Sequence, residues 1–126
     1  MARFPAKAVF AATLSLAAVA AAPAIAAELV YVFEPGCPYC RLWDREIGPA
    51  YGKTEEGKRA PLVAVDRRDP ALAELGLAAP VRYTPTFVLM DGGAEVGRIV
   101  GYQGEDFFWG RLASLLERLP ETGRNN

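Results

Sequence analysis

Between Glu28 and Leu119 the chain alternates short apolar runs with charged, glycine- and proline-containing stretches. Leu29-Val30-Tyr31-Val32-Phe33 is an unbroken apolar run, read as a short buried strand. Pro61-Leu62-Val63-Ala64-Val65-Asp66 is a second run of strand length, closed by the charged turn Arg67-Arg68-Asp69. Residues 86–90 read as a third strand. Asp91-Gly92-Gly93 is a hairpin signal leading to a fourth strand in Glu95-Val96-Gly97-Arg98-Ile99-Val100.

The helical signals lie between and after these runs. Arg41 to Ile47 reads as helix begun at Cys40, until Gly48-Pro49 interrupts it, since proline lacks an amide donor and clashes with the preceding turn. Lys53 to Arg59 mixes both charge signs with a glycine and reads as a solvated loop or frayed turn. Asp69 before Pro70 is an N-cap and first-position pair, opening a short helix through Leu72, Leu75 and Leu77. Glu105 to Leu119 fits an amphipathic helix with Phe108, Leu112, Leu115, Leu116 and Leu119 on one face and Arg111, Glu117 and Arg118 toward water. The resulting order is β-α-β-α-β-β-α. A strand–helix–strand crossover makes a parallel pair, whereas a tight hairpin makes an antiparallel one. The chain is therefore expected to be α/β, with a mixed four-stranded sheet flanked by helices.

The first residues change what counts as the domain. Arg3 and Lys7 make a basic start, Ala8 to Ala22 is apolar apart from Thr13 and Ser15, and Ala24-Ile25-Ala26 is a small-x-small cleavage pattern. Residues 1–26 read as an export signal cleaved near Ala26, and residues 27–126 as the mature, exported domain. The apolar run is shorter than the roughly 20 residues of a membrane span. Of 126 residues, 100 remain, enough for one modest domain. The full chain carries 14 basic and 15 acidic groups; without Arg3 and Lys7 the balance is 12 to 15, or −3. A mildly acidic domain has no basic footprint for nucleic acid or for an anionic membrane surface.

The only two cysteines are Cys37 and Cys40, in Glu34-Pro35-Gly36-Cys37-Pro38-Tyr39-Cys40-Arg41-Leu42-Trp43, at the corner between first strand and first helix. An exported chain meets an oxidising compartment, where a disulfide persists. As a structural staple a ring this small constrains the unfolded chain little. Redox exchange explains the pair better. Zinc would want four ligands, and with no histidine and no third cysteine a site would have to be shared or use carboxylates. The lack of histidine also removes the Cys-His arrangement of hydrolases. No metal and no cofactor is expected.

Cys37-Pro38-Tyr39-Cys40 after the first strand, Thr84-Pro85 before the third, and Gly101 after the fourth together make the chain similar to the thioredoxin superfamily, over residues 28–119. Pro35 to Cys40 with Trp43 and Glu46, and the run Gly48 to Gly57, further resemble the small periplasmic thioredoxin-like proteins of bacterial sulfur-oxidation systems, the SoxS type. The resemblance implies a cis Pro85, with Thr84 before it beside the dithiol, and an attacking Cys37. It also implies a disulfide reductase acting on a protein disulfide or cysteine-bound sulfur adduct, the SoxYZ sulfur carrier being the partner; in an oxidising compartment such a reductase needs an electron donor, expected to be a membrane thiol-transfer protein. A disulfide-forming, DsbA-like oxidase and a non-catalytic binding module are the alternatives. Thr84, Pro38 and Tyr39 are the expected substrate-binding residues.

Two departures from the family matter. Ordinary thioredoxins have a Gly-Pro spacer and a buried acid on the first strand; here the spacer is Pro38-Tyr39 and Tyr31 stands in the acid's place. The spacer is shared with glutaredoxins, yet Gly101-Tyr102-Gln103-Gly104 lacks their Gly-Gly glutathione signature, so glutathione dependence is not expected.

By position, Cys37 at a helix start gains from the amino-terminal dipole and amides, which lower a thiol pKa below ~8.5. Cys37 is expected to be exposed and nucleophilic, Cys40 more buried and resolving. Glu34 and Glu46 read as a solvated loop acid and a helix-surface acid. Arg41 and Arg82 lie near the dithiol or are plain surface charges. Trp43 and the cluster Phe107, Phe108 and Trp109 read as core.

Overall fold

The computed structural model describes residues 27–121, together with 2, 3, 5, 17 and 18. The export signal and its cleavage position fall largely outside the described residues. Four strands form one sheet in the order β2-β1-β3-β4: β1 Glu28–Phe33, β2 Leu62–Asp66, β3 Thr86–Asp91 and β4 Ala94–Val100. β1 runs parallel to β2 and antiparallel to β3, and β3 is antiparallel to β4 across the Gly92-Gly93 turn. Both glycines have positive φ, as such a turn requires. This is the mixed sheet that the apolar runs predict.

Alternation along β1 and β3 divides the core in two. Leu29, Tyr31, Phe87 and Leu89 face the helices α1 (Pro38–Glu46), α2 (Gly48–Tyr51) and α4 (Glu105–Leu116), while α3 (Glu55–Arg59) lies beside α4. Val30, Val32, Val88 and Met90 face Leu72, Leu75, Leu77 and Val81. The helical side is aromatic: Trp43 packs on Tyr31, Tyr51, Phe87 and Phe108 with ring centroids 4.7 to 6.2 Å apart. Offset and edge-on rings at these spacings add to plain area burial.

Local chemistry explains the starts of α1 and α3. Cys37 caps α1, with Pro38 at its first position. The helix thus begins two residues before the expected Cys40. The break at Gly48-Pro49 does not end helical structure: Pro49 sits in the first turn of the single-turn α2, where it removes no needed hydrogen bond. The reading of Lys53–Arg59 as a loop is corrected, because residues 55–59 form α3. Thr54 caps it by accepting from Gly57 N at 3.0 Å, and Glu55 and Glu56 open it while Lys58 and Arg59 close it. The segment after Asp69 is a short 3-10 helix, Pro70–Glu74, ending before Leu75 and Leu77. α4 stops at Leu116, three residues short of the expected Leu119. Phe108 lies in the core, but Phe107 is 39 % exposed, so only part of that aromatic cluster packs inside.

Candidate functional site

β1 ends at Phe33, and the chain turns at once, with Cys37 N donating to Glu34 O at 3.1 Å. Gly36 takes φ +86° within this turn, a conformation that a side chain at Cβ resists. The turn delivers Cys37 to the amino end of α1. There the Cys40 amide donates to Cys37 Sγ at 3.1 Å, so the sulfur occupies the acceptor position of a helix cap. Cys37 and Cys40 form a disulfide, their Cα atoms 5.3 Å apart.

Cys37 is 9 % exposed and Cys40 3 %. The expected order of exposure holds, but the expected open Cys37 does not: both belong to the core edge beside Tyr31 and Tyr102. Pro38 and Tyr39 are exposed, Tyr39 at 59 %. With Gly101, Tyr102 and Gln103, Tyr39 borders a shallow hollow of about 420 Å³.

Sheet register brings the second loop to the first. Val32 pairs with Thr86, so the residues just before β3 lie beside the chain leaving β1. The Thr84-Pro85 peptide is cis, with Pro85 buried and Thr84 half-buried. Pro85 O accepts from Gly101 N at 2.7 Å, and Tyr83 O from Thr86 Oγ1 at 2.6 Å. Tyr83 is 68 % exposed. Sequence reasoning passed over it; an aromatic next to Thr84-Pro85 was the available signal.

Acids near the dithiol are occupied. Glu34 is ion-paired with Arg67 at 2.9 Å rather than free in solvent, and Glu46, though exposed, accepts from Tyr102 Oη at 2.5 Å. Tyr31 donates to Asp44 Oδ1 at 2.9 Å and to Cys40 O at 3.3 Å. Burial, followed by the Asp44 bond and charge, pushes the Tyr31 phenol well above its ordinary range. It stays protonated and acts here as a donor, not a base. Burial and the Glu46 bond push Tyr102 up likewise. Arg41 and Arg82 are exposed. Among the described residues no three His, Cys, Asp or Glu side chains gather as a metal site would need.

A sulfur that receives a helix-terminal amide and faces the positive end of α1 is better stabilised as an anion than as a thiol. Paired with a second sulfur in bonding range, it can exchange a disulfide with another molecule. Comparison with known proteins agrees with this chemistry. A thioredoxin-like domain model matches residues 15–116. The reduced form of the periplasmic thioredoxin SoxS from Paracoccus pantotrophus is 51% identical, with a TM-score of 0.70 over 73% of this chain and 97% of that one. A thioredoxin from Thermus thermophilus is 26% identical, with a TM-score of 0.55 over 71% and 73%. That of Fasciola hepatica, at 24% and 0.55 over 71% and 80%, shares the fold. A search of curated proteins found no match. With its sulfurs at a helix start and this likeness over most of its length, the chain belongs to the thioredoxin-like family and is a thiol–disulfide oxidoreductase.

Proposed function

We propose that the protein is a periplasmic reductase in which Cys37 attacks and Cys40 resolves. The Cys40 amide on Cys37 Sγ carries the assignment, because it favours charge on Cys37 and not on Cys40. In the reduced protein the Cys37 thiolate attacks one sulfur of a target disulfide. That bond breaks, its other sulfur leaves as a thiolate, and a mixed disulfide forms. Cys40 gives up its proton and attacks Cys37 Sγ; the second target thiolate leaves and the Cys37–Cys40 disulfide forms, two electrons having passed to the target. Thr84 and Pro85 line the substrate side with Pro38 and Tyr39. Exposed Arg41 and Arg82 suit an anionic, cysteine-bound sulfur adduct as target.

The likeness to periplasmic SoxS supports a place in sulfur oxidation, with the SoxYZ carrier as partner and a membrane thiol-transfer protein returning the electrons. On this reading residues 1–26 are the export signal and residues 27–126 the working domain. Cys40→Ser lacks the resolving sulfur, so it is expected to accumulate a mixed disulfide through Cys37. Mass spectrometry of that adduct names the partner. Adducts through Cys37→Ser instead would reverse the two roles. A reduction potential near thioredoxin's, about −270 mV, fits a reductase, whereas one near about −120 mV would make the protein an oxidase. Unchanged activity in cells carrying both serine variants would leave only a docking role.

A further inference from the structure

The segment from Ala79 to Pro85 has no regular secondary structure, yet five of its carbonyls are held. Ala79 O and Pro80 O accept from Arg98, Arg82 O from Arg67, Tyr83 O from Thr86 and Pro85 O from Gly101. Ala79, Pro80, Arg82 and Tyr83 are exposed and Pro85 is buried, so these bonds fix the course of a largely solvent-facing loop. Four of these five bonds tie the segment to the start of β3 (Thr86), to β4 (Arg98) or to Gly101 just beyond β4. Arg67 alone reaches the dithiol loop.

Its guanidinium spans the two loops. Nη1 donates to Arg82 O at 3.1 Å, and Nη2 to Glu34 Oε1 at 2.9 Å. Arg67 N also donates to Phe33 O at 2.8 Å, so its own backbone is fixed to the end of β1. Glu34 is the residue whose carbonyl closes the turn presenting Cys37. Arg82 stands two residues before Thr84. A planar fork with several donors can serve both acceptors at once; an ammonium on a flexible stem holds one.

We propose that Arg67 is a positioning residue for disulfide exchange, setting the separation between the loop of Cys37 and the loop of Thr84 and Pro85. This rests on the reading above, in which Cys37 attacks and Thr84 and Pro85 receive the substrate. A protein disulfide must meet both loops together, while a small alkylating reagent needs only the Cys37 thiolate. The two probes therefore separate positioning from activation of the sulfur.

The test uses the purified protein with insulin as disulfide, dithiothreitol as electron source, and iodoacetamide alkylation of the reduced protein as the second probe. Arg67→Met is expected to raise KM for insulin about 5–10-fold, the loss of a charge-assisted bridge discounted for its one-third exposure, with kcat and the alkylation rate within about twofold. Arg67→Lys is expected to recover part of the KM, and Glu34→Gln, which leaves the Arg82 contact, to raise it less than Arg67→Met. An unchanged KM in Arg67→Met would reduce the contact to a surface ion pair and overturn the proposal. So would an alkylation rate that falls with turnover, or full recovery by lysine. Should Arg67→Met not fold, Glu34→Gln decides: a raised KM with unchanged alkylation supports the brace, and an unchanged KM overturns it. Insulin reduction that survives in Cys37→Ser is a different failure, that of the attacking-thiol assignment.

Discussion

Trp43 is 1 % exposed, and its indole Nε1 finds no acceptor among the described residues. The ring fills space between Tyr31, Tyr51, Phe87 and Phe108 and braces α1 against the sheet beneath Cys40. Two effects therefore oppose each other on replacement. Trp43→Phe leaves a gap but relieves a buried unpaired donor worth about 1–3 kcal/mol, so its net loss of stability is expected to stay near 1 kcal/mol. Trp43→Ala leaves the gap uncollapsed and is expected to lose about 3–5 kcal/mol. Urea unfolding of the two variants checks this; a Trp43→Phe loss close to that of Trp43→Ala would mean that relieving the orphaned N–H, common to both, does not offset even the smaller gap. Tyr31 teaches a related lesson. Its position on β1 was legible, whereas its role was not, because the Asp44 that accepts its hydroxyl lies 13 residues away on α1.

α3 shows how an element escapes sequence reading. Its five residues are too few to persist alone, since the first helical turn is costly to nucleate. Tertiary contact supplies what is missing. A Cβ on Gly57 would fall on the backbone carbonyl of Tyr51, so only glycine lets α3 sit against the end of α2. Gly52, at φ −66°, has no neighbour within 4 Å of a would-be Cβ. Gly57→Ala is expected to lose about 1–3 kcal/mol by forcing the backbone apart. Gly52→Ala is expected to gain about 0.4–1 kcal/mol by stiffening the unfolded chain. Thermal melts of the pair test the contrast: a tolerated Gly57→Ala would mean that α3 is not seated as described. β2 is instructive too. Its apolar run identifies it as a strand, but its place at the sheet edge, half-buried, follows from which neighbours the other strands take.

Across the molecule, charge couples the fold to pH. Glu95 is hydrogen-bonded by Arg98, which itself holds Ala79 O and Pro80 O, and Glu95 also accepts from Ala78 N. The Arg98 bond first, then the Ala78 amide and the Arg98 charge, hold the Glu95 carboxyl below its ordinary 4.5, against the opposing effect of burial. A folded-state pKa below the unfolded one stabilises at pH above 4.5, and that contribution is lost as pH falls through the lower, folded value. Glu95→Gln keeps an acceptor without the charge. Its stability is expected to be lower than wild type at pH 7 and to fall less below pH 4.5, as urea midpoints across an acid series would show. Parallel acid limbs in the two proteins would refute the coupling. Tyr31, Tyr51 and Tyr102, all pushed above their ordinary 10.0, act at the other end: stability is lost above pH 10, where the unfolded tyrosines ionise first.

Features that depend on near neighbours along the chain are legible in the residues alone. Apolar runs marked the strands, Gly92-Gly93 the hairpin, and the two-residue spacing of Cys37 and Cys40 at a strand-to-helix corner the redox chemistry. These are short-range matters of backbone preference and local geometry. Folding alone brings Arg67 between Glu34 and Arg82, carries Tyr102 to Glu46 across 56 residues, and leaves Cys37 largely covered. Each depends on strand order and register, which bring together groups whose separation along the chain carries no sign that they will meet.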